Sequence, residues 1–160
     1  MPQTFESKTD NVDGKYAIIV SRYNENITRR LHDGAIATLV DAGIREDAIN
    51  VAWVPGAWEL PIVAKQFLAS RQYAGVICLG AVIKGETTHD LYINTQVSNS
   101  LGNLSLEYEL PIGFGLLTCQ SMEQAMNRAG GTVGNKGEEA AKAVLETLSV
   151  MRQVAEANNG

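Results

Sequence analysis

Apolar residues are arranged along the chain in two alternating patterns. Four compact apolar runs, at 16–21, 49–54, 74–83 and 112–118, are short and contain few polar residues. Runs of this kind are typical of strands that are buried on both faces of a parallel sheet. We therefore predict four buried strands over these ranges.

Between the runs, apolar residues lie three or four positions apart, which is the spacing of a helix with one buried face. The apolar stripes of the three clearest predicted helices are Ile27–Leu31–Ala35–Leu39, Val97–Leu101–Leu104 and Ala141–Leu145–Leu148–Met151. Gly43 follows the first stripe as a stop signal, and Pro61 fits the first turn of another helix. The sequence "SMEQ" at 121–124 predicts a capping box at the start of a fifth helix.

Strand–helix alternation over the whole length predicts an α/β fold. The expected architecture is a single-domain, three-layer sandwich with a central four-stranded parallel sheet flanked by helices. The length of 160 residues fits one domain. We expect residues 1–14 to be a flexible N-terminal segment or to pair with a neighbouring subunit, and residues 15–160 to form the domain.

Composition and charge argue against several classes of protein. The net charge of −5 does not favour a nucleic-acid partner, and no window has the roughly 18 apolar residues of a membrane span. The polar, acidic N-terminus does not resemble a signal peptide, so we expect a cytoplasmic protein. Cys78 and Cys119 lie in apolar runs without metal-ligand spacing, which predicts reduced core residues and no metal site.

The ends of the four predicted strands carry the most unusual chemistry of the sequence. Ligands of parallel α/β proteins bind at the carboxyl ends of the strands. Here those ends hold three aromatic residues, Tyr23, Trp58 and Phe114, which together indicate a pocket wall. Trp58 is either a core residue or a stacking platform for a flat heterocycle, whereas Trp53 inside its strand is expected in the core.

The segment "KGETTHD" follows the third predicted strand. Gly85 would let the backbone approach a ligand, and Thr87 and Thr88 would lie where free helix N–H groups attract phosphate or carboxylate. An ordinary threonine N-cap is the alternative. The carboxylate of Glu86 would repel phosphate unless it points to water, in which case only its amide would serve the ligand.

The chain has two histidines, which occupy different positions in the predicted fold. His89 lies at the ligand-binding end of the sheet and can exchange protons near neutral pH, so we predict a general acid or base. A helix-capping histidine is the alternative. His32 lies on the polar side of the first predicted helix and is expected to be solvated.

Two cations near the last predicted helix supply local positive charge for an anion. They are Arg128 and Lys136, in the sequence "NRAGGTVGNKGEE". The alternative is that Arg128 only caps the end of a helix and that Lys136 is an ordinary loop lysine. No nucleophile elbow, Walker loop or dinucleotide fingerprint is present, so chemistry would depend on positioning, proton transfer and anion binding.

Five motifs resemble one family in order and spacing. They are "RYN", "VPGAWELP", "LGAVIKGETTH", "FGLLT" and "QAMNRAGGTVGNKG". They resemble the 6,7-dimethyl-8-ribityllumazine synthase family from about Lys15 to the C-terminal helix. The resemblance implies a flavodoxin-like fold and a transferase that joins 5-amino-6-(D-ribitylamino)uracil to 3,4-dihydroxy-2-butanone 4-phosphate. This is the penultimate step of riboflavin biosynthesis, without metal or organic cofactor.

The resemblance also implies the residues of the pyrimidine site. Trp58 would stack on the uracil ring beside Ala57, and Glu59 would bind the ribityl hydroxyls. The other residues implied to bind this substrate are Tyr23, Asn24, Phe114, Lys136 and the backbone of Ala81, Val82 and Ile83.

For the butanone phosphate, the resemblance implies four binding residues and one catalytic residue. The binding residues are Gly85, Glu86, Thr87 and Arg128, and the proton-transfer residue is His89. Phe114, Arg128 and Lys136 would come from a neighbouring subunit.

Some positions depart from the common pattern of the family. Tyr23 and Trp58 stand where phenylalanine is frequent, Lys84 replaces arginine, and Glu86 replaces a small residue. The bend at Gly131-Thr132 has no insertion, which favours pentamers packed into an icosahedral shell over isolated pentamers. Association with riboflavin synthase is a further expectation. The alternative to the enzyme is a non-catalytic flavin- or lumazine-binding protein, or a shell-forming one.

Overall fold

A central sheet of four parallel strands crosses the computed structural model, which describes residues 1–160. The strands are β1 (Lys15–Ser21), β2 (Ile49–Val54), β3 (Tyr73–Ile83) and β4 (Ile112–Cys119). They lie in the order β2-β1-β3-β4, so β1 and β3 are central. All four predicted strands are confirmed.

Five α-helices cover the two faces of this sheet. They are α1 (Glu25–Asp41), α2 (Leu60–Ala69), α3 (His89–Tyr108), α4 (Met122–Asn127) and α5 (Lys136–Asn159). A short antiparallel hairpin, β5 (Ala129–Gly131) and β6 (Gly134–Asn135), connects α4 to α5. The predicted three-layer α/β fold is confirmed.

Alternate residues of β1 belong to two separate cores. Tyr16, Ile18 and Val20 pack with α1 and α5, while Ala17 and Ile19 pack with α2 and α3. Since both faces are covered, every residue of β1 after Lys15 is buried. The prediction of strands buried on both faces is wrong for β2, which is only half-buried because it lies at an edge of the sheet.

Local signals set most of the helix ends. Gly43 adopts a left-handed φ of 93° after α1 and donates its N–H to the carbonyl of Val40, as predicted for a stop signal. Pro61 lies in the first turn of α2. Ser121 caps α4 through Gln124 N–H, but the Gln124 side chain bonds to Gln120 N–H, so only half of the predicted capping box forms.

Asn135 and Gly137 join α5 to α1. The side-chain oxygen of Asn135 caps α5 by accepting the N–H groups of Gly137 and Glu138, and its Nδ2 donates to the carbonyl of Arg30. A Cβ at Gly137 would overlap the carbonyl oxygen of Leu31. The start of α5, and with it Lys136, is therefore fixed against α1.

The two cysteines are free and buried, as predicted. Burial raises the pKa of the Cys78 thiol to about 12. The prediction for His32 is wrong, because its side chain is only 20% exposed and its ring packs 5.7 Å from that of Trp53. Arg29 covers the Trp53 ring at 4.9 Å, so α1 shields the edge strand there.

Residues 1–14 contain no helix or strand, and several of them contact α5. Arg152 donates two 2.8 Å hydrogen bonds to the carbonyls of Asn11 and Asp13. The hydroxyl of Tyr16 donates to the carbonyl of Val12, which is itself buried. Pairing of this segment with a neighbouring subunit stays a prediction. None of the five helices combines the length and the apolar character needed to cross a membrane.

The buried hydroxyl of Tyr16 makes the free energy of unfolding depend on pH in the alkaline range. Burial raises its pKa from 10.0 to about 12, with Asp13 adding to the shift and Arg152 opposing it. The pKa of Tyr16 is higher in the folded state than in the unfolded state. Its contribution to the free energy of unfolding is therefore fully present below pH 10 and is lost as pH rises through about 12. Two pKa units correspond to roughly 2–3 kcal/mol.

We therefore expect the free energy of unfolding to fall more steeply between pH 10 and 12 in the parent chain than in Tyr16→Phe. Urea titrations at each pH measure the difference. Parallel pH profiles for the two proteins would contradict this role of Tyr16.

Candidate active site

A cleft of about 420 Å³ opens at the carboxyl ends of β1, β2 and β3. It is lined by Tyr23, Asn24, Gly56, Ala57, Trp58, Glu59, Ala81, Val82, Ile83, His89 and Ile93. Nine of the predicted site residues are in this set. They come from three stretches far apart in sequence, and the strand order β2-β1-β3 brings these stretches together.

The turn between β1 and α1 is bonded to both neighbouring strand ends. On one side, Tyr23 N–H donates to the carbonyl of Pro55 at 3.1 Å. On the other side, Asn24 Nδ2 donates to the carbonyl of Ala81 at 2.9 Å. Asn24 has a left-handed backbone, with φ 59°, and its carbonyl accepts the N–H groups of Ile27 and Thr28 at the start of α1. The turn therefore has a defined position between the two walls of the cleft.

One wall of the cleft combines Trp58 and Glu59, which follow β2, with the aromatic ring of Tyr23 from the turn after β1. Trp58 and Tyr23 are 56% and 73% exposed, so both rings are open to a ligand. The Tyr23 ring packs over Gly56, where a Cβ would lie 3.3 Å from Tyr23 Cδ2. Glu59 Oε1 accepts the N–H of Gly56 at 2.9 Å and so fixes the short 3₁₀ turn Ala57–Glu59.

The segment after β3 is exposed and connects the cleft to α3. Gly85, Glu86 and Thr87 lie between Ile83 and His89, both of which line the cleft. Thr88 precedes α3 without a side-chain capping bond, whereas Thr87 Oγ1 accepts the N–H of His89 at 3.3 Å. The threonine acceptor at this helix start is therefore Thr87.

Six predicted residues do not line the cleft: Gly85, Glu86 and Thr87 belong to the exposed segment just described, and the other three lie elsewhere. Arg128 and Lys136 line a separate cavity of about 400 Å³ beside the end of β4, together with Gln124 and Asn127. Phe114 is 38% exposed and lines a third depression, which is formed with α3. Within one chain, the two predicted cations and the cleft are therefore separate features.

A comparison with known protein families identifies the family of this chain. The model of the 6,7-dimethyl-8-ribityllumazine synthase family matches residues 13–152. The chain belongs to this family. The matched range includes the whole sheet and every predicted site residue. The family is one of transferase-type enzymes of riboflavin biosynthesis, and the resemblance found in the five motifs is confirmed.

Two lining residues of this lumazine synthase family member were not predicted as site residues. Ile93 lies one helical turn after His89, so the helical period of α3 could have indicated it. The sequence indicated Gly56 only as part of the turn after β2, and not as a residue that lines a site. No group of three or more His, Cys, Asp or Glu side chains is close enough together to hold a metal ion.

Glu59 has a structural role that can be separated from ligand binding. In Glu59→Ala the buried N–H of Gly56 loses its acceptor, which should lower the free energy of unfolding by about 1–2 kcal/mol. Glu59→Gln keeps an acceptor at the same atom and should lose less than half as much. Urea unfolding of the two variants measures the difference, and equal losses would argue against the hydrogen bond as the cause.

Proposed function

We propose that the protein condenses 5-amino-6-(D-ribitylamino)uracil with 3,4-dihydroxy-2-butanone 4-phosphate to form 6,7-dimethyl-8-ribityllumazine. The observation that carries this proposal is the family match over residues 13–152, combined with a cleft lined by nine of the residues that the motifs implicate. The reaction is the penultimate step of riboflavin biosynthesis.

The proposed chemistry requires proton transfer and positioning. The 5-amino nitrogen attacks the ketone carbon, and loss of water gives an imine. Removal of the proton from the carbon beside the imine lets inorganic phosphate leave with the electrons of its C–O bond, and the resulting enol tautomerises to a ketone. The ribitylamino nitrogen attacks this ketone carbon, and loss of a second water closes the ring. Holding the two substrates together should supply much of the rate, because it replaces an encounter in solution by a reaction within one complex.

The pyrimidine is proposed to bind between the wall after β2 and the end of β3. Trp58 and Tyr23 offer open aromatic surfaces for its ring, with Ala57 beside them. One carboxylate oxygen of Glu59 accepts the N–H of Gly56, which leaves its second oxygen for the ribityl hydroxyls. The backbone of residues 81–83 is proposed to bind the pyrimidine edge.

The butanone phosphate is proposed to bind at the exposed segment after β3. A Cβ at Gly85 would meet nothing within 4 Å, so a ligand can approach its backbone closely. The hydroxyl of Thr87 and the amide of Glu86 are proposed donors to the phosphate. His89, at the first position of α3, is the proposed proton-transfer residue, because it lines the cleft beside this segment.

The complete site is proposed to form between two subunits of a homo-oligomer. Arg128 and Lys136 form no salt bridge within the chain, so their charges are available to an anion. Because they lie outside the cleft of their own chain, we propose that they and Phe114 complete the cleft of a neighbouring subunit. The proposed assembly is a pentamer, with pentamers packed into an icosahedral shell.

A two-substrate assay tests the reaction and the role of His89. Lumazine fluorescence and phosphate release should appear in equal amounts with the parent chain. His89→Ala should lower turnover by about a hundredfold to ten-thousandfold, the range of general acid–base catalysis.

His32→Ala is the matched control, since His32 packs on Trp53 and lies outside the cleft. It should retain the activity of the parent chain. Unchanged turnover in His89→Ala would remove this residue from the mechanism. An assembled parent chain that forms no product would favour a binding or shell-forming role.

Mixed oligomers test whether the site is shared. When His89→Ala and Arg128→Ala chains are co-expressed, about a quarter of the interfaces should pair an intact His89 with an intact Arg128. Activity should then rise well above that of either variant alone. Co-expression of His89→Ala with Trp58→Ala is the control, because both changes affect the same cleft. Absence of recovery in assembled His89→Ala and Arg128→Ala mixtures would contradict a shared site.

A further inference from the structure

The end of β3 extends beyond the strand that pairs with it on the cleft side. Pairing between β1 and β3 ends at Val20 and Leu79, whereas pairing between β3 and β4 continues to Ile83 and Cys119. Residues 81–83 therefore have a neighbouring strand on one side only. Their other side faces the cleft, where an exposed strand edge presents unpaired backbone groups.

Asn24 supplies a hydrogen bond that β1 does not. Its Nδ2 donates to the carbonyl of Ala81 at 2.9 Å, across 57 residues of sequence. The same turn is bonded to the opposite wall through Tyr23 N–H and the carbonyl of Pro55. The Tyr23–Asn24 turn thus connects the wall that carries Trp58 with the free edge of β3.

The backbone of Asn24 makes this connection rigid. Its φ of 59° is a left-handed conformation that asparagine and glycine tolerate better than other residues. In this conformation its carbonyl accepts two N–H groups at the start of α1. The direction of the side chain is therefore set by the start of a helix as well as by the bond to Ala81.

We propose that Asn24 is a positioning residue, which holds the free edge of β3 at a fixed distance from the aromatic wall. This inference rests on the proposed function, because the ligand held between these walls is the pyrimidine substrate. The role differs from direct contact with the substrate, since the atom that acts is Nδ2 and its partner is the protein's own backbone. Loss of the bond should loosen residues 81–83 and weaken pyrimidine binding, while the chemistry at His89 remains.

Two variants separate the side-chain bond from other roles of Asn24. Asn24→Gly keeps the left-handed backbone and removes the side chain, whereas Asn24→Asp keeps the size and the Oδ1 acceptor but removes the amide donor. Each should raise KM for the pyrimidine about tenfold, the effect of one lost hydrogen bond. The KM for the butanone phosphate and kcat should stay within about twofold, since a loss of binding alone leaves the chemical step unchanged.

Asn26→Asp is the matched control. Asn26 lies two positions further on and is exposed, and its side chain donates a hydrogen bond to the sulfur of Met122 at 3.7 Å. This variant makes the same chemical change near the cleft without breaking the bond to Ala81. It should leave all kinetic constants at the values of the parent chain.

Amide hydrogen exchange supplies a measurement that does not depend on turnover. Residues 81–83 should exchange faster in Asn24→Gly and Asn24→Asp than in the parent chain or in Asn26→Asp. A parent chain without activity would overturn the proposed function, and the exchange data would still test the connection between Asn24 and Ala81.

Three outcomes would overturn the inference. Parent-like kinetics in Asn24→Asp with a weakened Asn24→Gly would mean that Oδ1 contacts the substrate directly. Unchanged KM in both variants would remove Asn24 from pyrimidine binding. Unchanged exchange at residues 81–83 would show that the bond does not hold the strand edge.

Discussion

The difference in length between β1 and β3 determines where a ligand can bind. Both strands lie in the centre of the sheet, but β1 ends at Ser21 while β3 continues to Ile83. The chain leaves β1 through the Tyr23–Asn24 turn and opens a space beside the last residues of β3. The cleft occupies this space, and the other segments contribute to it because parallel pairing brings their ends to the same edge.

Glycines determine how closely the layers approach this sheet. A Cβ at Gly113 would lie 2.7 Å from the carbonyl oxygen of Ala140, so α5 packs directly on the backbone of β4. Gly137 allows the same close approach between α5 and α1. These two contacts fix the start of α5, and with it the separation between Lys136 and the cleft of the same chain. Close packing of helices therefore has a direct consequence for the proposed shared site.

The polar groups of the cleft are held in place before any ligand arrives. Asn24 bonds to Ala81, Glu59 bonds to Gly56, and Thr87 accepts the N–H of His89. Each bond uses one atom of the side chain and limits its rotation. Such preorganisation reduces the conformational entropy that binding would otherwise cost. The two aromatic rings remain exposed, so the cleft combines fixed polar groups with open stacking surfaces.

The sequence by itself determined the four strands, the five helices, the family and most of the residues that line the cleft. These features depend on local periodicity, turn residues and motif spacing, which short stretches of sequence contain. Only the tertiary structure decided the half-exposure of β2, the packing of His32 on Trp53 and the bond between Asn24 and Ala81. Each of these depends on which distant segments become neighbours, and periodicity along the chain contains no information about that choice.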